Sequence, residues 1–147
     1  MILLCDNREQ KPLTFDKDYI EMVVPCTLSY GDYRGVSSKG VWSPVVFERK
    51  NKSDLFGTLG KGYSRFKREI NRSIEDGSKL VLIVECSLSS ILKGYKYSKM
   101  KPEGIMRTMF TLMTKHGIPF VCCSSREEMV TYISEFYRSY FLNLEGV

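Results

Sequence analysis

Histidine is almost missing from this chain. His116 stands alone, which excludes histidine-rich metal sites and histidine-based nuclease motifs. Its place in "KHGIP" suits the last turn of a helix, where the dipole favours a basic group. The five cysteines, Cys5, Cys26, Cys86, Cys122 and Cys123, are odd in number and show no C-x-x-C spacing. That usage argues against a disulfide framework and for a reducing compartment, either microbial or viral cytoplasm or a eukaryotic nucleus. No apolar run approaches the roughly 18 residues of a membrane span. The start, "MILLCDNREQ", has too short an apolar patch for a secretory signal. No membrane partner is expected. Repeats and low-complexity segments are absent as well. "GTLGKGYS" lacks the phosphate-loop lysine, because Gly62 is followed by Tyr63.

The 147 residues fit one domain with a core large enough to need no staples. Apolar residues make up 43% and charged residues 27%, the balance of a soluble globule. The net charge of +5 is compatible with a phosphate-backbone partner without identifying one.

Strands are expected at "ILLC" (2–5), "IEMVV" (20–24), "LSYGDYRGV" (28–36) and "VWSPVVFERK" (41–50). The last two form a hairpin, with Pro44 imposing an edge or bulge. A helix capped by Ser53 or Asp54 follows, and then one from Ser64 with Phe66, Ile70 and Ile74 on a single stripe. Gly77 ends it. "KLVLIVEC" (79–86) has the continuous apolar character of a central strand. Pro102 to Gly117 brackets a helix, "IPFVCC" is a further buried strand, and Ser125 with Glu128 forms a capping box for a last helix to about Leu142. A strand-rich start followed by alternating helix and strand predicts an α/β fold: a mixed sheet flanked by helices on both faces, with the hairpin at its exposed end.

The strand over 41–50 ends in three consecutive charges, Glu48, Arg49 and Lys50. Alternation puts Glu48 and Lys50 on one face and Arg49 on the other. Asp32 on the hairpin partner can face Glu48, and Asp6 ends the first strand. Three carboxylates gathered at one spot would suit Mg²⁺ or Mn²⁺. Lys50 would position an activated water or neutralise charge growing on a phosphate.

"DNRE", "YGDY", "FERKNKSDL", "SRF" and "LVLIVE" together resemble the XPF/Hef structure-specific endonucleases across essentially the whole chain. The family hallmark, GD followed by ERK-x-x-x-D, is present as Gly31-Asp32 and Glu48-Arg49-Lys50 with Asp54. The resemblance implies a restriction-endonuclease-like core and Mg²⁺- or Mn²⁺-dependent cutting of branched DNA. It maps the metal carboxylates onto Asp32 and Glu48, with Asp6 and Asp54 as further acidic members. It maps the catalytic lysine onto Lys50 and the arginines onto Arg8 and Arg49. It further matches Glu9 to the family's D-x-R-E, Arg65 to its helix arginine and Glu85 to the glutamate closing its next strand. The expectation is a single nuclease domain without helix-hairpin-helix or helicase modules, so that a separate DNA-binding or helicase partner would have to supply them. A junction resolvase, a linear-duplex nuclease or a DNA-binding subunit with an idle site are the alternatives. The long gap between Asp32 and Glu48 implies an extended hairpin, with Trp42 as a wedge or as core.

Three further features bear on partners. Lys61, Arg65, Lys67, Arg68 and Arg72 stud one helix opposite its apolar stripe and would track DNA phosphates, unless they form an ordinary solvated face. "YKYSKMK" (95–101) alternates aromatic and basic residues, suited to single-stranded DNA or simply a flexible loop. Phe136, Tyr137, Tyr140 and Phe141 exceed what one core face needs and suggest a homodimer interface.

Overall fold

The computed structural model describes residues 1–146. One six-stranded sheet runs in the order β2-β1-β3-β4-β5-β6. It comprises β1 (Ile2–Asp6), β2 (Met22–Cys26), β3 (Tyr33–Val36), β4 (Trp42–Asn51), β5 (Lys79–Glu85) and β6 (Phe120–Cys122). β1 pairs parallel with β2 and antiparallel with β3, β3 pairs antiparallel with β4, and β4, β5 and β6 run parallel. The helices are α1 (Lys52–Leu59), α2 (Tyr63–Glu75), α3 (Leu88–Leu92), α4 (Pro102–His116) and α5 (Arg126–Leu144). This is the expected mixed α/β architecture, of the restriction-endonuclease-like kind.

The period-2 alternation of the central strands divides the core. Val46 on β4 and Leu80, Leu82 and Val84 on β5 pack with α1, α2, α3 and α4 on one face. Phe47, Val81 and Ile83 point the other way, toward α5 and Leu13 of the β1–β2 connection. Every charged residue that follows Phe47 on β4 is thereby assigned a side of the sheet.

Several expectations shift. The hairpin of β3 and β4 lies mid-sheet rather than at the end, because β1 returns antiparallel against β3 and carries β2 outside it. β2 starts at Met22, not Ile20. It is an edge strand, which is why it tolerates Pro25. Pro44 sits where the register slips, Arg34 opposing Val46 but Val36 opposing Trp42, so the bulge is present. Trp42 is not core; it is exposed, with the Arg34 guanidinium 5.1 Å above its ring. Asn51, rather than Ser53 or Asp54, caps α1, accepting from the Asp54 N–H at 2.8 Å. Ile74 is exposed and Ser73 takes its place on the buried face of α2.

The aromatic stripe of α5 serves the chain's own core. Tyr137 is fully buried and donates its hydroxyl to the Val45 and Tyr33 carbonyls. Its ring fills the space beside Gly35, where a Cβ would come within 2.6 Å of it. Phe141 is buried, and Phe136 and Tyr140 are half-buried against the same cluster. The surplus that suggested a dimer face has a simpler origin. Among the described residues α5 is the only helix on its side of the sheet, so one helix must cover what four cover opposite.

Candidate active site

The site begins at a corner. Gly31 adopts φ +75°, and a Cβ there would lie 2.3 Å from Val46 Cγ1, so conformation and space both demand glycine. The corner's backbone ties three strands together: Asp32 N–H donates to the Phe47 carbonyl at 2.7 Å, and Asp6 N–H donates to the Asp32 carbonyl at 2.8 Å. Asp32 Oδ2 in turn accepts from the Arg49 N–H at 2.7 Å. The "GD" dipeptide is thus a joint that fixes a carboxylate against the end of β4.

Glu48 and Lys50 project from β4 onto the α1–α2 face, into a cleft of about 820 Å³ lined also by Asp32, Asp54 and Arg65. Lys50 Nζ lies 3.2 Å from Glu48 Oε1. α2 closes the cleft with Arg65, Arg68, Glu69 and Arg72, which recur at helical spacing on one stripe. Lys61 and Lys67 do not line it; Lys67 leans 5.7 Å over the Tyr63 ring instead. Arg8 and the exposed Asp54 stand at the rim.

Glu69 is the residue that sequence reasoning missed. Its Oε1 accepts from the Gly31 N–H at 3.0 Å, so a helix carboxylate is locked onto the same corner as Asp32. Embedded in "FKREIN", it reads as half of an ordinary helix charge pair. Only its spacing, four residues after Arg65 and three before Arg72, connects it to the cleft stripe.

Asp6 lines the same cleft, with its carboxylate oxygens already engaged. It is buried, and its Oδ2 accepts from Arg8 Nε at 2.9 Å and its Oδ1 from the Leu28 N–H at 3.2 Å. Its oxygens brace the loop after β1. Among the described residues no three carboxylate, thiol or imidazole side chains gather tightly enough to enclose a metal ion alone.

Arg49 departs furthest from expectation. It points to the α5 face, where its guanidinium takes Glu9 in a fork, 2.9 and 2.7 Å, and Glu85 at 3.0 Å. Glu85 also accepts from Arg126, which donates to the carbonyls of Lys11 and Pro12. Arg49 is therefore a buried tie between β4, β5, α5 and the β1–β2 connection, not a grip for phosphate. Glu9 and Glu85 acquire their role from it.

The electrostatics of the cleft are those of a site short of positive charge. Burial pushes the Asp32 carboxyl up to about 7, the repulsion of Glu9 and Glu69 adding to it and Lys50 and the Arg49 N–H opposing it. Burial, then Asp32 and Glu69, raise Glu48 well above the carboxylate range. Burial pulls the Lys50 ammonium down, but Glu48, Asp32 and Glu69 outweigh it and its pKa is raised. Lys50 is a firm cation, and the carboxylates beside it are under pressure to hold protons.

This pressure has a measurable sign. The Asp32 carboxyl is pushed up to about 7 in the folded chain, from 3.8 for an unperturbed aspartate. The folded state therefore keeps a proton the unfolded chain releases. That contribution to stability is full below about pH 4 and is lost as pH rises through about 7. With EDTA present, thermal unfolding should show the wild-type Tm declining over that window relative to Asp32→Asn. Mn²⁺ should remove the difference near pH 7. A wild-type Tm that climbs relative to Asp32→Asn across the window contradicts the assignment.

Both the sequence and the fold resemble known proteins. A family model described as the ERCC4 domain matches residues 5–136. No curated protein matches. Among solved structures, XPF from Aeropyrum pernix superposes with a TM-score of 0.73 at 21% identity, over 99% of this chain and 68% of that one. XPF from Aeropyrum pernix in complex with DNA gives 0.73 at 22% identity, over 97% and 66%. The chain thus spans about two thirds of the length of those proteins. At such identities the superposition carries the fold, and the family rests on the match that runs from Cys5 to Phe136 through the Gly31–Asp32 corner and the Glu48–Lys50 strand end: the chain belongs to the ERCC4 nuclease-domain family.

Proposed function

We propose that the chain is a metal-dependent endonuclease that hydrolyses DNA phosphodiester bonds at branched structures, such as flaps, forks or junctions. The observation that carries this reading is the Asp32–Glu48–Lys50 group, Glu48 buried and Asp32 and Lys50 half-buried, in a cleft lined also by Arg65, Arg68 and Arg72. A cleft with acidic floor and basic walls suits a polyanion brought against a cation.

The donor set fits Mg²⁺ or Mn²⁺. Both ions take hard oxygens, and Mg²⁺ is commonly held by one or two carboxylates plus substrate phosphate and water rather than by an all-protein cage. Asp32 and Glu48 offer those carboxylates; burial first, and then neighbouring carboxylates, raise both, and a cation placed beside them would favour their charged forms. When bound, the metal supplies a water of lowered pKa and polarises the phosphodiester.

The side chains divide the remaining work. Lys50, held charged by its carboxylate neighbours, neutralises negative charge accumulating on the phosphate. Glu69 keeps the Gly31–Asp32 corner in place by its bond to the Gly31 N–H. Arg65, Arg68 and Arg72 take phosphates flanking the scissile one, a task for which a planar guanidinium is suited. Products with 5′-phosphate and 3′-hydroxyl ends follow from attack of water with departure of the 3′ oxygen.

A panel of end-labelled fork, flap, four-way junction and linear duplex, incubated with Mg²⁺, Mn²⁺, Ca²⁺ or EDTA, tests the proposal. Cleavage of branched substrates in Mg²⁺ or Mn²⁺ and none in EDTA is expected; equal cutting of linear duplex would remove the branch preference. Binding measured in Ca²⁺ should weaken in Arg65→Ala, with the log–log salt slope reduced by up to about one. An unchanged slope would take Arg65 out of the DNA path.

A further inference from the structure

Beyond the cleft the chain carries a second assembly of charge. Between Glu85 and Glu103 there is no acidic residue, while Lys93, Lys96, Lys99 and Lys101 all fall in that span. All four are exposed. Together with Lys52 they line one open depression of about 650 Å³, whose floor includes Tyr95 and Met100. None of the five lysines forms a salt bridge among the described residues. Five like charges brought to one concavity create a local positive potential that favours a multiply charged anionic partner.

The loop that brings them together is anchored. The Tyr95 ring packs against Phe56 of α1 at 5.8 Å, and its hydroxyl donates to Ser53 Oγ at 3.3 Å. Tyr97 stands edge-on to Tyr95 at 5.5 Å and is 75% exposed, with Lys96 Nζ 4.8 Å over its ring. An exposed ring beside a line of ammonium groups is the pairing that single-stranded nucleic acid uses, bases on the ring and phosphates on the lysines.

Position links this depression to the cleft. Ser53 and Asp54 line the acidic cleft, and the adjoining Lys52 lines the basic depression. The first turn of α1 is their common rim. A duplex would need a broad face here, whereas one strand leaving the cleft over Ser53 passes directly to Lys52 and the loop.

We propose that the segment Lys93–Lys101, with Lys52, is a binding site for the single-stranded arm of a branched DNA. This deepens the nuclease reading and rests on it for the identity of the strand. The site supplies branch preference from within this chain, because a linear duplex has no arm to place there.

The test uses the full chain in Ca²⁺, with fluorescent oligo(dT), a fork bearing one single-stranded arm, and a linear duplex as probes. Lys96→Gln with Lys99→Gln, and separately the exposed Tyr97→Ala, are compared with wild type after their Tm values are shown to match. The lysine pair should bind oligo(dT) and the fork at least tenfold more weakly, with the oligo(dT) salt slope lowered by about 0.7 for each lysine removed. Tyr97→Ala should weaken oligo(dT) by about tenfold. Linear-duplex binding should not change. Equal loss on duplex, unchanged oligo(dT) binding in both variants, or displacement of oligo(dT) by poly-glutamate at equal charge would each overturn the proposal. The last outcome would mark the loop as a dock for acidic protein. Because binding is read without cutting, a wild type that holds oligo(dT) but cleaves nothing refutes the nuclease reading while supporting this site.

Discussion

Glu48→Gln should lower DNA cleavage by about 10²–10⁴-fold, the several kcal/mol that a bound metal contributes, while making the metal-free protein more stable near neutral pH. The two effects share one cause. Glu48 is buried beside Asp32 and Glu69, and burial and their repulsion exceed the attraction of Lys50. Replacing this ionisable carboxyl by a neutral amide removes the cost of taking up its proton on folding and also removes the site's capacity to balance a cation. A gain in Tm with a loss of activity is the signature of a group held for function against stability. A structural Glu48 would behave oppositely, its loss leaving the Lys50 ammonium stranded and the Tm lower. Activity and melting curves on the same preparation decide between them.

Arg49→Ala should do the reverse, acting on the fold before the chemistry. Arg49 and Glu9 side chains are each 7% exposed, and Glu85 is 22% exposed. Breaking a buried pair by deleting one partner costs about 3–5 kcal/mol, since the surviving charges have nowhere to go. For a chain of this length that corresponds to a Tm drop on the order of 10 °C. The discriminating variant is Arg49→Met with Glu9→Gln and Glu85→Gln. With the charges removed together, most of the loss should return. If the triple variant melts as low as Arg49→Ala, the ion pairs are not what holds this junction. If Arg49→Ala keeps its stability and loses DNA binding, the arginine reaches phosphate after all.

The contrast between neighbours 48 and 49 shows what the sequence makes legible. The alternation of a strand separates Glu48 and Lys50 from Arg49, and the structure obeys it. What alternation does not give is the chemistry waiting on each side. Arg49 joins a charge network assembled from Glu9, Glu85 and Arg126, residues 36 to 77 positions away, and such closures depend on strand order. That order differs from the sequence expectation, since the β3–β4 hairpin lies mid-sheet and not at the sheet's end. With β1 next to the short β3, the loop after β1 carries Glu9 to Arg49 at the end of β4.

Asp6 and Glu69 both line the cleft, and the partners of each depend on the fold. Asp6 ends a strand next to the site, but local partners two and twenty-two residues away claim its oxygens. Glu69 lies on a helix whose polar stripe looks solvated until α2 is laid across the Gly31 corner. The aromatic surplus of α5 is legible in the sequence, but its meaning depends on α5 being the one helix that covers that face among the described residues. Composition and period identify elements and faces; which face meets which is decided by topology.

The most direct test of the account is the single-turnover cleavage of one end-labelled fork by wild type in Mg²⁺, run beside EDTA and beside Lys50→Ala, with fork binding in Ca²⁺ measured on both proteins. Lys50 is expected to act on the phosphate undergoing reaction, so its loss should slow cleavage by about 10²–10³-fold and leave the binding constant and its salt slope almost unchanged. EDTA should abolish cutting by the wild type. Cleavage by Lys50→Ala at the wild-type rate, or loss of binding as complete as the loss of cleavage, would contradict the assignment of this cleft as the place where DNA is cut.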